Sequence, residues 1–277
     1  MQALSAVGTW DVPHAAAAVV AADGRVVATS GDVDRDFRLA SLTKVVTGWA
    51  AMIAVEEGIV ALDDPVGQPG CTLRHLLAHA GGYPFNSTEP ISAPGRRRVY
   101  SNSGIELAAA HVEQRAAMPF AQYLTEGVLQ PLGRPGARLR GSPAHGLWAS
   151  VGDVAVLLAE LHQPRLLTPA NAAEAVTVQY PHLSGIVPGV GRFDPCPWGL
   201  GIEIRGDKSP HWTGATNSPS TFGHFGGSGT MMWVDPGVGC ALVALTDRDF
   251  DDWPEAVASW RSLGDAVVAE WIDRASP

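Results

Sequence analysis

Ser41 and Lys44 stand three residues apart in Ser41-Leu-Thr-Lys44 and could act as a nucleophile and its base. Residues at this spacing share one face of a helix, so the hydroxyl and the amine would lie within hydrogen-bonding distance. The residues that follow are mostly apolar, and a lysine desolvated on such a surface loses affinity for its proton. The pattern therefore indicates acyl transfer through an activated serine. By itself S-x-x-K is common, and it also describes a capping serine with a snorkelling lysine.

Tyr100 and Asn102 form a second polar group, in Tyr100-Ser-Asn102. The next residues, Ser103-Gly-Ile-Glu106, have the pattern of a capping box, so a helix is predicted to begin there. Both side chains could then point from the preceding loop into a cleft. Tyr100 could relay a proton, and the Asn102 amide could hydrogen-bond a substrate carbonyl. An ordinary polar loop with a packed tyrosine has the same pattern.

A third motif, His224-Phe225-Gly226-Gly227, falls in a predicted strand. Glycines in a strand let substrate backbone or an acyl oxygen approach closely, although they also occur at bulges. Taken alone, this motif is ambiguous.

The spacing of His75 and His79 is that of two zinc ligands on one helix face. However, no Glu follows His75, and no third ligand can be placed. We interpret both as packed helix histidines, and we expect neither a metal nor another cofactor.

A sheet and several helices are predicted to position these motifs. Ala15–Val20 and Arg25–Ser30, joined by Asp23-Gly24, predict a β-hairpin. From Ser41 to Glu57 the helical pattern leaves hardly any polar face, which predicts a buried helix. Residues from about 60 to 180 have the patterns of short helices. Later strands and a closing helix are predicted at Trp198–Arg205, Thr221–Phe225, Thr230–Val234, Cys240–Thr246 and 257–271.

This order predicts an α/β (α+β) fold, in which an antiparallel sheet is flanked by N- and C-terminal helices and carries an inserted all-helical lobe. We assign residues 1–60 and 185–277 to a discontinuous sheet domain and 61–184 to the helical lobe, as one catalytic unit with the site between them. The stretches 131–146 and 181–197 are rich in Pro and Gly and are predicted to be surface loops.

Composition excludes several classes of partner. The chain has 277 residues with a formal net charge of −9, and its longest basic run is Arg96-Arg97-Arg98, which argues against nucleic acid or an anionic membrane. The first residues lack the basic and apolar regions of a signal peptide, so we expect a cytoplasmic location. The expected partner is a small molecule, and the oligomeric state cannot be predicted.

The order of the three motifs resembles that of the serine β-lactamase and penicillin-binding protein family. The resemblance is to the branch with class C β-lactamases, D-alanyl-D-alanine carboxypeptidases and esterases, and it extends over most of the chain. Three flanking segments are also similar to that family, namely Phe37-Arg-Leu-Ala, the run from Leu73 to Gly82, and Trp233-Val-Asp-Pro236. A β-lactamase/transpeptidase-like fold is implied.

The resemblance also implies roles for individual residues. Ser41 would attack the acyl carbon, while Lys44 and Tyr100 would transfer its proton and later that of the leaving group. Asn102 would orient the substrate, and the backbone N–H groups of Ser41 and Gly227 would form the oxyanion hole.

One motif departs from the family pattern. Most members have Lys-Thr/Ser-Gly where this chain has His224, Phe225 and Gly226, and there the cation and hydroxyl help to hold a substrate carboxylate. Their loss predicts better turnover of uncharged esters than of penicillins or peptidoglycan stems. We therefore expect an esterase-type serine hydrolase acting on small esters or amides. The alternatives are a true β-lactamase or D,D-carboxypeptidase and, in a different class, a non-catalytic acyl-binding or sensor module.

Overall fold

A six-stranded antiparallel sheet forms the centre of the structure, a computed structural model that describes residues 1–134 and 136–275. In chain order the strands are β1 (Ala15–Ala21), β2 (Val26–Ser30), β3 (Phe37–Arg38), β4 (Arg138–Leu139), β5 (Leu147–Ala149), β6 (Gly185–Val187), β7 (Gly191–Phe193), β8 (Glu203–Ile204), β9 (Phe222–Gly226), β10 (Thr230–Asp235) and β11 (Cys240–Thr246). The large sheet has the order β2-β1-β11-β10-β9-β8. The predicted antiparallel sheet is confirmed.

In the part of the chain that the structure describes, seven α-helices accompany the strands. They are α1 (Thr43–Glu56), α2 (Leu73–Leu77), α3 (Asn102–Ala116), α4 (Phe120–Leu124), α5 (Val151–His162), α6 (Pro169–Ala175) and α7 (Ala256–Ala275). A short 3-10 helix, Gln2–Thr9, precedes the first strand, and its backbone N–H groups at Gln2 and Ala3 donate to Glu270 of α7.

Strands β1, β9, β10 and β11 are buried on both faces, whereas the edge strand β2 is partly exposed. Successive residues of a strand point to opposite sides and so enter different cores. Ala16, Ala18 and Val20 of β1 belong to the core shared with the helices, whereas Ala17 and Val19 belong to the core under α7. The helix packed directly on β1 and β11 from the first side is α5, not α1. The terminal helices, Gln2–Thr9 and α7, contact the sheet from the other side.

Helix α1 lies inside the helical part, beside α3, α4 and α6. All its residues from Thr43 to Ala54 are buried, as its apolar sequence predicts. A helix without a polar face must be covered on every side, and neighbouring helices can do this where a single sheet face cannot.

Helix α3 begins earlier than the predicted capping box. Its N-cap is Ser101, whose side chain accepts a hydrogen bond from the Gly104 amide, and Asn102 is the first helical residue. Glu106 instead accepts a hydrogen bond from the Ser142 hydroxyl at 2.5 Å. The prediction of a cap at Ser103 was wrong, because a tertiary contact takes the glutamate that a capping box requires.

The two stretches predicted to be surface loops contain short strands. In 131–146, of which Pro135 lies outside the described residues, β4 pairs with β5, and β5 pairs with β3. In 181–197, β6 and β7 form a hairpin. Part of the first stretch also faces α1, since the Pro143 carbonyl accepts a hydrogen bond from Thr47. Among the described helices, none is both long enough and apolar enough to cross a membrane.

Candidate active site

Ser41 lies in a single 3-10 turn, Ala40–Leu42, immediately before α1. Ala40 has a φ of 48°, a left-handed conformation that is costly for a residue with a side chain. The Thr43 hydroxyl holds the turn by donating to the Ala40 carbonyl at 2.6 Å. Ser41 is therefore presented at the N-terminus of a buried helix, where the helix dipole favours developing negative charge.

Lys44 is fully buried and contacts three oxygen atoms. Its Nζ lies 2.9 Å from Ser41 Oγ, 2.6 Å from Asn102 Oδ1 and 3.0 Å from the Ala144 carbonyl. The two carbonyl oxygens can only accept, so they take two N–H groups of the amine. A neutral amine has two N–H groups and one lone pair, and the lone pair is then left to face the Ser41 hydroxyl.

Burial lowers the pKa of Lys44 to about 7, while the Glu106 carboxylate raises it. An amine with this pKa is substantially unprotonated at neutral pH and can accept a proton from serine.

The Tyr100 side chain lines the cleft together with Ser41, and burial raises the pKa of Tyr100 while an interaction with Ser41 opposes this. Its ring centroid lies 4.9 Å from Lys44 Nζ. Because the phenol stays protonated at neutral pH, it can donate a hydrogen bond or a proton near the serine oxygen.

The side chain of Asn102 is engaged within the protein at both ends. Its Oδ1 accepts from Lys44, and its Nδ2 donates to Asn86 Oδ1 at 2.8 Å. Asn102 therefore positions the lysine amine, and its oxygen is not available to a substrate while that contact lasts. Asn86 has no distinctive pattern in the sequence, and its position beside Asn102 depends on the tertiary fold.

His224 is buried and neutral. Burial, with the positive charge of Lys44 adding to it, lowers the pKa of His224 to about 3. The Nδ1 atom lies 2.6 Å from the Phe225 carbonyl, which can only accept, so Nδ1 carries the proton. Nε2 is then an acceptor, and within the described residues it has no hydrogen-bond partner.

The three residues after His224 play different structural parts. The Phe225 ring packs against Phe250 and Trp260, with centroids at 5.4 and 5.5 Å, although it also lines the cleft. A Cβ on Gly226 would lie 2.5 Å from the Leu39 carbonyl. Strand β9 therefore packs directly on the Ala40–Leu42 turn that carries Ser41, which we call the nucleophile turn. A Cβ on Gly227 would have no neighbour within 4 Å, which leaves space beside its backbone.

These residues meet in one cleft of about 680 Å³. Ser41, Tyr100, Asn102, His224, Phe225 and Gly227 all line it. Residues without a distinctive pattern in the sequence also line it, among them Phe85, Asn86, His145, Trp198 and Glu203.

The two histidines with zinc-like spacing lie in different surroundings. His75 is in α2. Its Nδ1 forms a hydrogen bond with Thr72 Oγ1 at 2.8 Å, and its ring stacks on Tyr180. His79 lies beyond the end of the helix and packs against Trp198 at 4.7 Å, with its Nδ1 accepting from the Ser101 amide. Across residues 1–134 and 136–275, no group of three or more His, Cys, Asp or Glu side chains could hold a metal ion.

Comparison with known proteins gives consistent results. The model of the family described as Beta-lactamase matches residues 9–264. A crystal structure of a beta-lactamase, Mb2281c from Mycobacterium bovis, is 49% identical, with a TM-score of 0.94 over 97% of this chain and 99% of that one.

Two curated relatives match shorter regions. A beta-lactamase of Yersinia enterocolitica is 33% identical over 123 residues, which cover 35% of this chain and 32% of that protein. The D-alanyl-D-alanine-carboxypeptidase/endopeptidase AmpH of Escherichia coli K12 is 26% identical over 148 residues, covering 40% and 38%. The matched regions thus span about a third of the length of these relatives. Because the family model covers most of the chain, this protein belongs to the beta-lactamase family.

Proposed function

We propose that this protein is an esterase-type serine hydrolase that forms an acyl-enzyme on Ser41. One observation carries the proposal. The buried amine of Lys44 directs two N–H groups at carbonyl oxygens of Asn102 and Ala144, which leaves its lone pair for the Ser41 hydroxyl. This is the arrangement that a serine needs in order to lose its proton as it attacks.

In acylation, Ser41 Oγ forms a bond to the ester carbonyl carbon and its proton passes to Lys44 Nζ. Backbone N–H groups of Ser41 and Gly227 stabilise the oxyanion. When the tetrahedral intermediate collapses, the bond to the alkoxy oxygen breaks. The departing alcohol takes a proton from Tyr100, which recovers one from Lys44.

In deacylation, water adds to the acyl carbon and gives its proton to the neutral amine of Lys44. The bond from the acyl carbon to Ser41 Oγ then breaks, and Oγ takes the proton back. The carboxylic acid leaves, and Lys44 returns to its neutral state.

His224 supports a preference for esters that carry no charge near the scissile bond. With a pKa of about 3 it has no positive charge at neutral pH, and its free Nε2 is an acceptor that would repel a carboxylate. A substrate with a carboxylate near the scissile bond would therefore find no cation at the position of His224.

A true β-lactamase or D,D-carboxypeptidase is the second candidate, and it is favoured by the names of the Mycobacterium bovis structure and of AmpH. Under this alternative, kcat/KM for nitrocefin would be comparable with that for p-nitrophenyl acetate. Under the esterase proposal, the p-nitrophenyl ester is the better substrate by at least about tenfold.

The test of the nucleophile is a reaction with a fluorophosphonate, followed by intact mass and peptide mapping. We expect a single adduct on Ser41 in the wild type and none in Ser41→Ala. An adduct elsewhere contradicts the proposal. Labelling of Ser41 without turnover of any ester or nitrocefin would instead support a non-catalytic acyl-binding module.

A further inference from the structure

A second cavity, of about 460 Å³, adjoins the cleft. Phe85, Tyr100 and Pro188 line both spaces, so the second cavity begins at the side of Tyr100. Away from these shared residues, the hairpin of β6 and β7 lies between the cleft and the second cavity. Val187 lines the first cavity and Ile186 the second, because successive residues of a strand point to opposite sides.

The walls of the second cavity are held firmly. The segment before Tyr100 pairs with the hairpin through a bridge between Arg98 and Gly185. The buried Arg98 guanidinium donates to the carbonyls of Ala78, Gln179 and Cys196. The cavity is therefore part of the folded frame rather than a gap between mobile loops.

The lining of this cavity combines apolar and cationic side chains. Phe85, Ile91 and Ile186 are 49%, 54% and 59% exposed, and they are three of the five large apolar residues exposed in the described chain. Arg97 and Arg192 also line the cavity, and within the described residues neither side chain forms a hydrogen bond or an ion pair. Such a grouping, on a protein with a net charge of −9, is suited to an apolar chain that ends in an anion.

Two details place the guanidinium groups of Arg97 and Arg192 beside the apolar side chains of the second cavity. Ile186 is directly opposite Arg192 in the register of β6 and β7, so both side chains project from the same face of the hairpin. Arg97 precedes the inward-facing Arg98 and is itself exposed. An arginine fork without a protein partner can bind a carboxylate or a phosphate with two parallel hydrogen bonds.

We propose that this cavity binds the leaving alcohol of the ester substrate, and that this alcohol has an apolar chain ending in a carboxylate or phosphate. The inference rests on the proposed function. Tyr100 gives the proton to the departing alcohol, so the alcohol must face Tyr100, and the second cavity opens at that ring. The distal anion lies against Arg97 and Arg192, away from the neutral His224.

The test compares octyl acetate with the same ester bearing a terminal carboxylate or a terminal phosphate. All three give the same acetyl-enzyme, so the ratio of their kcat/KM values depends on the leaving group alone. We expect the wild type to prefer at least one anionic ester by about tenfold. The double variant Arg97→Gln/Arg192→Gln removes the preference, whereas Arg96→Gln, a neighbouring exposed arginine outside the cavity, retains it. The preferred anion identifies the head group.

Equal rates for neutral and anionic esters, with octyl acetate hydrolysed, overturn this inference and leave the proposed function intact. A second series varies the acyl part, using p-nitrophenyl octanoate and its ω-carboxylated counterpart. If the arginine substitutions change only this ratio, the assignment to the leaving group is wrong.

Direct binding separates the inference from catalysis. Octanoate and octyl phosphate are titrated calorimetrically into Ser41→Ala, which has no nucleophile. The same titration is repeated on the triple variant that combines Ser41→Ala with Arg97→Gln and Arg192→Gln. If this variant no longer binds the anions, the site is supported even if no ester is turned over. Binding of neither anion overturns it.

Discussion

Lys44 acquires its reactivity from burial and not from a charged neighbour in contact. Ser41, Asn102 and Ala144 provide the oxygen contacts, and none of them carries a charge. Such contacts would favour an ammonium, yet loss of water outweighs them and brings the pKa of Lys44 to about 7. A base with a pKa near the working pH is substantially unprotonated, and it still binds a proton strongly enough to take one from the serine hydroxyl.

The pH dependence of ester hydrolysis should report this pKa. The active form of Lys44 is the neutral amine, so kcat/KM falls about tenfold per pH unit below a pKa of about 7 and reaches a plateau above it. The measurement is kcat/KM for p-nitrophenyl acetate, corrected for spontaneous hydrolysis. A rate independent of pH between about 5 and 9 would contradict the assignment of Lys44 as the base.

Glu106→Gln provides a test of the same ionisation. The Glu106 carboxylate raises the pKa of Lys44, so replacing it with a neutral amide should lower that pKa. The acidic limb of the plot of kcat/KM against pH should then move to lower pH. Glutamine can still accept the hydrogen bond from the Ser142 hydroxyl, which keeps the change mainly electrostatic. Glu113→Gln, an exposed residue of the same helix, should leave the limb in place. An unshifted limb in Glu106→Gln would show that another group controls the rate.

Tyr100 is expected to act as a protonated phenol. Burial raises the pKa of Tyr100, so no decrease in rate from its ionisation should appear in the neutral range. Tyr100→Phe removes the donor beside Ser41 and should lower kcat for ester hydrolysis by about a hundredfold or more. Tyr83→Phe, which loses a hydroxyl that accepts from the Gln68 amide outside the cleft, is the matched control. A fully active Tyr100→Phe would remove Tyr100 from the mechanism.

At the scale of elements, the contact between β9 and the nucleophile turn fixes the geometry of the site. A Cβ on Gly226 would lie 2.5 Å from the Leu39 carbonyl, and neither Gly226 nor Gly227 has a positive φ. Gly226→Ala should therefore destabilise the fold by about 1–3 kcal/mol through overpacking, and it should lower activity by moving the turn.

The matched variant is Gly227→Ala, whose Cβ would have no neighbour within 4 Å. Its free energy of unfolding should change by less than about 0.5 kcal/mol. Urea unfolding of both variants measures the difference. Equal stability of Gly226→Ala and wild type would show that the strand and the turn are not in firm contact.

The elements that could be predicted from the sequence have strong periodicity. Cys240–Thr246 was predicted with its observed bounds. Helix α1 begins two residues later than predicted, because Ser41 lies in a 3-10 segment, and it ends one residue earlier. The cap at Ser101 and the strands in 131–146 and 181–197 were missed, because short pairings depend on distant partners.

The same limit applies to the candidate site. Ser41, Lys44 and Tyr100 could be selected from residue type and order, and the structure brings them together. Ala144, which fixes the amine of Lys44, is an unremarkable alanine that acts through its backbone carbonyl. Asn86 is likewise defined only by its position beside Asn102. Backbone acceptors leave no signal in a sequence.

At the scale of the whole molecule, both lysines of the chain are inaccessible. Lys44 is 0% exposed, and Lys208 is 3% exposed and paired with the buried Glu203 at 2.7 Å. Lys44 lies in α1 and Lys208 follows β8, so they report on different parts of the fold. Lys44 is held among the helices that surround α1, whereas Lys208 lies beside the sheet, so we propose that the helical part around α1 and the sheet unfold together as one unit.

Limited proteolysis with a lysine-specific protease tests this proposal. Cleavage after either lysine needs local access, and a fold stabilised by about 5–15 kcal/mol opens globally in fewer than about one molecule in a thousand. The native protein should therefore resist cleavage, and both cuts should appear together as urea is added. Arg96→Lys, which introduces an exposed lysine between β3 and α3, should be cut at that position in the native state. Cleavage after Lys208 while Lys44 stays protected would mean that the two parts unfold separately, since one cooperative unit exposes both lysines in the same transition.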